Sequence, residues 1–335
     1  MKCVGRDDHA YVLSHRAARN PEHEWSFMGC LEESGGQSMI PVSGTATDTV
    51  PCPCGCASAS VVHVGNGLEL LRCGQCSLLA RVKMPTEEEA VNFYRDEYWA
   101  HFRTEQVGLG RNNVYVNALK WLTDLHPGPG MLVDVGCGGG AFLGHCRECG
   151  WRAIGFDPCA QAVAYAREYG LEAYAEKWPP CSLPDESADA VTFINVLDHL
   201  REPFIVLQEA WRILRPGGVL YIRVPNGTVH MNLKRALNIT GLGQLAVFHL
   251  YGFSRRAFLH HLPRLGFTIV AVRTAMPSRQ DEYGWTEGWM PMVRKLLKRA
   301  DWIGYRLVRI VGLDQMAWGP TIEVMACKAF LETRR

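Results

Sequence analysis

The 335-residue chain carries 35 Lys and Arg against 34 Asp and Glu, a net charge of +1, with 47% hydrophobic residues. That balance argues against wholesale disorder and lacks the basic excess typical of a nucleic-acid binder, so no nucleic-acid partner is expected. No run of eighteen apolar residues is present, so no membrane-spanning helix is expected.

Residues 1–49 show no sustained period and are rich in Gly, Ser, Thr, Asp and His, which reads as a flexible leader. They lack the apolar central segment of a signal peptide. Five of the 13 cysteines then fall between Cys52 and Cys76. In a chain of this length that clustering reads as a metal site in a reducing compartment, and the expected location is cytoplasmic. Residues 50–82 are taken as a zinc-binding knuckle. Its second pair, Cys73-Gly-Gln-Cys76, has the C-x-x-C spacing of a tetrahedral thiolate site. The first pair is drawn from Cys52, Cys54 and Cys56, whose spacings are one residue short or one long; Cys52 and Cys54 are the expected ligands.

Residues 83–127 read as a helical connector or lid. Thr86 with Glu89 forms a capping box at its start, and Tyr94 and Tyr98 could reach a pocket from it. After His126-Pro-Gly-Pro-Gly, residues 128–335 alternate strand and helix patterns. Strands are expected at 131–135, 152–156, 190–195, 219–224, 267–272 and 322–328, and helices at 141–149, 161–169, 204–214 and 254–265. The alternation predicts an α/β fold with a mostly parallel sheet covered by helices on both faces. Residues 274–319 form an insertion before the last strand. Within it, 289–312 holds six basic residues and one acidic residue among many apolar ones, the composition of a helix that could rest peripherally on a membrane.

Asp134-Val-Gly-Cys-Gly-Gly-Gly follows the first strand of this region and opens a helix. Glycines at 136, 138 and 140 permit a tight turn and close backbone approach to a ligand. Asp157 ends the next strand, 19 residues after Gly138, where a carboxylate can accept from ribose hydroxyls. The same glycines also fit a dinucleotide fingerprint, which makes an NAD-dependent oxidoreductase the rival reading. The rest of the sequence separates the two. Ser187-Ala-Asp189-Ala-Val-Thr, Val196-Leu-Asp-His199-Leu, Arg212-Ile-Leu-Arg-Pro-Gly-Gly-Val-Leu and Val224-Pro-Asn226 follow in order, and His249-Leu-Tyr-Gly-Phe-Ser254 continues the series.

This ordered set resembles class I methyltransferases dependent on S-adenosylmethionine (SAM), of the type 11/23-like group. The cysteine segment ahead of Phe93-Tyr-Arg-Asp-Glu-Tyr98 is similar to an N-terminal zinc knuckle found on some of them, including C-methyltransferases of deoxysugars. The resemblance implies a Rossmann-like, seven-stranded, mostly parallel sheet, SAM and Zn²⁺ as cofactors and a small-molecule methyl acceptor, such as a sugar, natural-product or lipid-linked intermediate. It implies Asp134, Gly136, Gly138, Gly140, Phe156, Asp157, Glu176 and Asn195 as cofactor-binding residues. Methyl transfer to a hydroxyl or carbon acid requires removal of a proton, for which His199, with His249 and Tyr251, are the catalytic candidates. The non-enzymatic alternative is an inactive SAM-binding module that docks partners through its knuckle.

Overall fold

Short apolar runs, each closed by a polar or glycine turn, form a seven-stranded sheet. The computed structural model describes residues 52–97, 99, 111–178, 182–239, 241, 249–278 and 290–329; the leader at 1–49 and Tyr98 lie outside the described residues. The sheet strands are β4 (Met131–Val135), β5 (Arg152–Phe156), β6 (Glu172–Tyr174), β7 (Ala188–Ile194), β8 (Leu214–Pro225), β10 (Phe267–Thr274) and β11 (Thr321–Lys328). Their order is β10-β11-β8-β7-β4-β5-β6. β11 runs antiparallel to both neighbours, whereas β4 to β8 pair in parallel. The mostly parallel sheet expected from the alternation is therefore present. The antiparallel strand set between β8 and β10 departs from the 3-2-1-4-5-6 order of a dinucleotide-binding sheet.

The central strands are buried on both faces, as a covered parallel sheet requires: Leu132, Val133, Ala190, Val191, Phe193, Leu220 and Ile222 are fully enclosed. Helices α3 (Ala141–Glu148) and α4 (Ala160–Glu168) follow β4 and β5, and α5 (Pro203–Ile213) follows β7. Helix α2 (Asn112–Leu125) buries Val114, Ala118, Leu119 and Leu122. It is also pinned by the buried carboxylate of Glu323 in β11. That group accepts from Asn117 of α2 at 2.8 Å, from Tyr221 of β8 at 3.1 Å and from Arg273 of β10 at 2.7 Å. Three donors offset the cost of burying this charge and fix the start of α2 relative to the sheet.

A second, four-stranded sheet is not legible from periodicity alone. Strands β1 (Ala59–Gly65) and β2 (Leu68–Cys73) form a hairpin, β3 (Leu79–Arg81) adds to β2, and β9 (Tyr251–Gly252) adds to β3. The hairpin turn is Asn66-Gly67, both at positive φ (51° and 72°), the pairing that a two-residue turn of this hand demands. Because β9 belongs to the loop after β8, the cysteine segment is stitched into the larger unit. Cys73, Cys76, Leu78 and Ala80 share one core with Phe204, Phe253 and the sheet.

Helix α1 (Glu87–Asn92) begins with the expected capping box: Thr86 Oγ1 accepts from the Glu89 N–H, and the Thr86 N–H donates to the Glu89 carboxylate. Gly150 and Gly170 follow the ends of α3 and α4 in left-handed conformation, matching their expected role as terminators. Helix α6 (Gly227–Ile239) had no counterpart in the periodic reading. Helix α7 (Arg255–His261) starts where Ser254 caps it. Helix α8 (Met290–Ile310) occupies most of the described part of the insertion. Among the described residues no helix is long and apolar enough to cross a membrane.

Candidate functional site

The carboxyl ends of β4, β5 and β7 diverge to leave a cleft of about 800 Å³, its open mouth included. This is the edge at which open α/β sheets bind ligands. One wall is the glycine loop. Gly136, Gly138 and Gly140 all have φ between +51° and +79°. A Cβ at Gly136 would lie 2.3 Å from Val196, so no larger residue fits there without moving the next loop. The Gly136 and Cys137 N–H groups donate to the Phe156 carbonyl at 2.7 and 3.2 Å, which ties the loop to β5. Asp157 fixes the other end: its two oxygens accept from the N–H groups of Gly138 and Cys159, each at 2.9 Å.

Asp134 is buried, and Thr192 donates to it at 2.6 Å. Burial pushes its carboxyl up to about 7, with the Thr192 hydrogen bond opposing the rise. Burial likewise raises Asp157, opposed by the N–H groups of Cys159 and Gly138. Asn195 sits on the cleft wall at φ +58°, its side-chain oxygen accepting from Arg223 at 2.5 Å.

The rest of the lining comes from distant segments. Tyr94 follows α1, Arg111 and Tyr115 come from the start of α2, and Val196, His199 and Leu200 follow β7. The Tyr94 hydroxyl and His199 Nδ1 are 2.6 Å apart. Behind His199 its ring meets that of His249 at 3.9 Å between centroids, and each histidine's Nε2 lies 3.9 Å from Asp198 Oδ2. Burial, then the Arg111 cation, bring His199 down to about 4; burial, then His199, hold His249 well below its usual range. Burial raises Asp198 to about 7. Neither Asp198 oxygen has a hydrogen-bond partner among the described residues. One ligand atom each from Asp198, His199 and His249 lie within 4.8 Å of one another, an N,N,O donor set suited to a divalent cation.

The structure brings Asp134, Gly136, Gly138, Asp157, Asn195 and His199 to the cleft. It places five other expected residues elsewhere. Gly140 caps α3 and abuts Ala166 and Leu171. The Phe156 ring is buried against Tyr174 and Trp178, because β5 turns that side chain into the core; only its carbonyl serves the loop. Glu176 is exposed away from the lining residues. His249 stands behind His199. Tyr251 is buried in β9 with its hydroxyl donating to the Arg201 carbonyl at 2.9 Å. Arg111, Tyr115 and Phe142 line the cleft without having been singled out. The apolar spacing Val114, Ala118, Leu122 could have oriented α2, but not its approach to β8.

The cysteines gather as four. Cys52 Sγ is 3.1 Å from Cys54 Sγ and 3.4 Å from Cys76 Sγ, and Cys54 Sγ is 3.4 Å from Cys73 Sγ. Those separations lie inside the edge of about 3.8 Å for a tetrahedron with 2.3 Å metal–sulfur bonds, so the donor set fits zinc. Cys56 turns away, its thiol on the Ser58 carbonyl. Burial raises the Cys52 and Cys76 thiols, whereas at Cys73 the N–H groups of Cys76 and Gln75 outweigh burial and bring the thiol down to about 6.

Comparison with known proteins agrees with this geometry. The family described as "Methyltransferase domain" matches residues 100–272. A mitochondrial ubiquinone biosynthesis O-methyltransferase from Mus musculus is 34% identical over 144 residues, covering 39% of this chain and 38% of its own length. Its counterpart from Xanthomonas oryzae is 32% identical over 104 residues, covering 29% and 44%. The chain thus spans under half the length of these curated relatives. Among solved structures, a SAM dependent methyltransferase from Archaeoglobus fulgidus aligns over 70% of this chain and all of its own, at 19% identity and a TM-score of 0.45.

Proposed function

This chain belongs to the methyltransferase domain family, and on that premise we propose that it transfers a methyl group from SAM to a nucleophile on a small molecule. The observation that carries the reading is one cleft with two unlike walls. A glycine loop with two carboxylates shares it with a half-buried tyrosine–histidine hydrogen bond.

SAM would supply an electrophilic methyl on a sulfonium. Asp134, buried beside Gly136, suits the methionyl ammonium, and Arg111 adds a cation to the lining that suits the carboxylate. Asp157 keeps lone pairs beyond its two backbone bonds for ribose hydroxyls. These residues bind and orient the donor, and Tyr115, Phe142 and Leu200 keep water from the reacting atoms.

His199 meets the acceptor. At neutral pH its imidazole is uncharged, so it can take a proton as the acceptor's O–H or N–H is methylated. Asp198 is the carboxyl whose charge can stabilise the imidazolium that forms, and Tyr94 orients the ring. A second reading rests on the unpartnered Asp198 oxygens: with His199 and His249 they hold a divalent cation that positions the acceptor. Cation dependence of turnover in a Cys73→Ser variant would select it. The cysteine quartet binds one structural zinc, with all four positions filled by thiolates.

Calorimetry should show binding of SAM and none of NAD, and labelled SAM incubated with fractionated metabolite extract should label a small molecule. NAD binding without SAM binding would overturn the reading.

A further inference from the structure

Helix α8 carries an apolar ridge that the protein leaves in solvent. Tyr305 is its buried anchor, and Lys298 on the same side donates to Ser278 Oγ at 3.0 Å. At about 100° per residue, Leu296, Ile303, Leu307 and Ile310 fall on the side opposite Tyr305, within an arc of about 60°. All four are exposed, from 56% at Leu296 to 80% at Ile310. Val311, Leu313, Met316 and Trp318 continue the exposed apolar surface past the helix end. Solvated ridges of this length on a folded protein mark contact surfaces.

Charge chooses the occupant. Six basic residues and one acidic residue lie in α8. Lys298 and Arg309 are used internally, on Ser278 and on Tyr305. Lys295, Arg299 and Arg306 line one flank of the ridge, exposed, and among the described residues none of them pairs with a carboxylate. An apolar stripe bordered by cations matches an anionic bilayer, whose acyl boundary takes the ridge and whose headgroups take the cations. The helix is also tied to the cleft: Ser278 adjoins Pro277, whose carbonyl accepts from Asn113 of α2 at 2.8 Å, two residues from Arg111.

We propose that α8 and the turn following it form a peripheral docking face for anionic membrane lipid. This goes beyond methyl transfer and stands whether or not that reading does. The test is flotation of the full chain with phosphatidylcholine vesicles, with and without about one-third phosphatidylglycerol. The expected result is binding to the anionic vesicles roughly a hundredfold tighter than to the neutral ones, from three cations near the surface, and lost in high salt. Ile303→Glu with Leu307→Glu should abolish it while leaving SAM affinity and melting temperature unchanged, since both side chains are exposed. Three results would overturn the proposal: no preference for anionic vesicles, binding unchanged in the double variant, or concentration-dependent self-association removed by the same variant, which would give the ridge to a second copy of the chain. Binding to RNA with no vesicle flotation would also overturn it.

Discussion

One carboxyl that burial raises to about 7 lines the cleft and a second lies just behind its lining, yet the two are built differently. Asp134 receives the Thr192 hydroxyl and sits among loop N–H groups that the chain satisfies within 131–157. Asp198 has no hydrogen-bond partner among the described residues, and its neighbours are two histidines held neutral. The glycine wall is a finished cradle, stiff and locally determined. The histidine wall assembles from Tyr94, Arg111 and His199, which come from three separate segments, with His249 and the electrostatically costly Asp198 behind it. Uncompensated burial of this kind is characteristic of the side of a site that does chemistry rather than the side that binds.

The comparison can be broken by attacking the walls one at a time. Gly138→Val puts a branched side chain into the cradle at φ +51° and should remove SAM binding in calorimetry, leaving the titration of the histidines as it was. If the mutant still binds SAM, the glycine wall is not the donor site. His199→Ala should lower turnover roughly 10²–10⁴-fold with SAM affinity nearly unchanged. His199→Asn sharpens this result, because it keeps a partner for Tyr94 without a titrating nitrogen; near wild-type turnover in that variant would reduce His199 to a brace.

Asp198→Asn tests the claim of stored cost. A carboxyl raised to about 7 in the folded state, against about 3.9 unfolded, keeps its proton longer when folded. Its contribution therefore favours the fold at low pH and is lost as pH rises from about 4 to 7, by about 2–4 kcal/mol in total. The asparagine variant should be more stable than the parent above pH 7 and not below pH 4, as read by denaturant titration at each pH. It should also remove a rise in turnover through about pH 7. Asp157→Ala should weaken SAM by about 1–3 kcal/mol, the scale of hydrogen bonds to a charged group.

The smallest effect tests whether the walls are independent. Arg81 of β3 donates its N–H to the Leu250 carbonyl, and the Leu250 N–H donates to the Asp198 carbonyl. The cysteine sheet thus reaches the histidine wall through Leu250, beside the shared core and the Tyr251–Arg201 hydrogen bond. Metal chelation should raise the acceptor KM about tenfold at most and leave SAM affinity intact. An equal loss on both sides would mean the knuckle supports the whole fold.

Local sequence determined the glycine wall almost entirely. The strand 131–135, its glycines, and Asp157 at the end of 152–156 stand where their periodicity and spacing put them, since a strand–turn–helix unit closes its own hydrogen bonds. The capping box at Thr86 and the terminating glycines were legible for the same reason. The Asn66-Gly67 hairpin carried a readable signal, but its extension by Tyr251–Gly252 did not, because pairing across about 170 residues leaves no local trace. Which way Phe156 points, that Tyr251 is spent on Arg201, and that Tyr94 reaches His199 were decided by tertiary contact. So was the gathering of Cys52 and Cys54, rather than Cys56, beside Cys73 and Cys76, which the spacing left open. Residue types and their spacing specify groups that satisfy one another nearby; a buried carboxyl beside two histidines exists only once distant segments have paid the entropy of coming together.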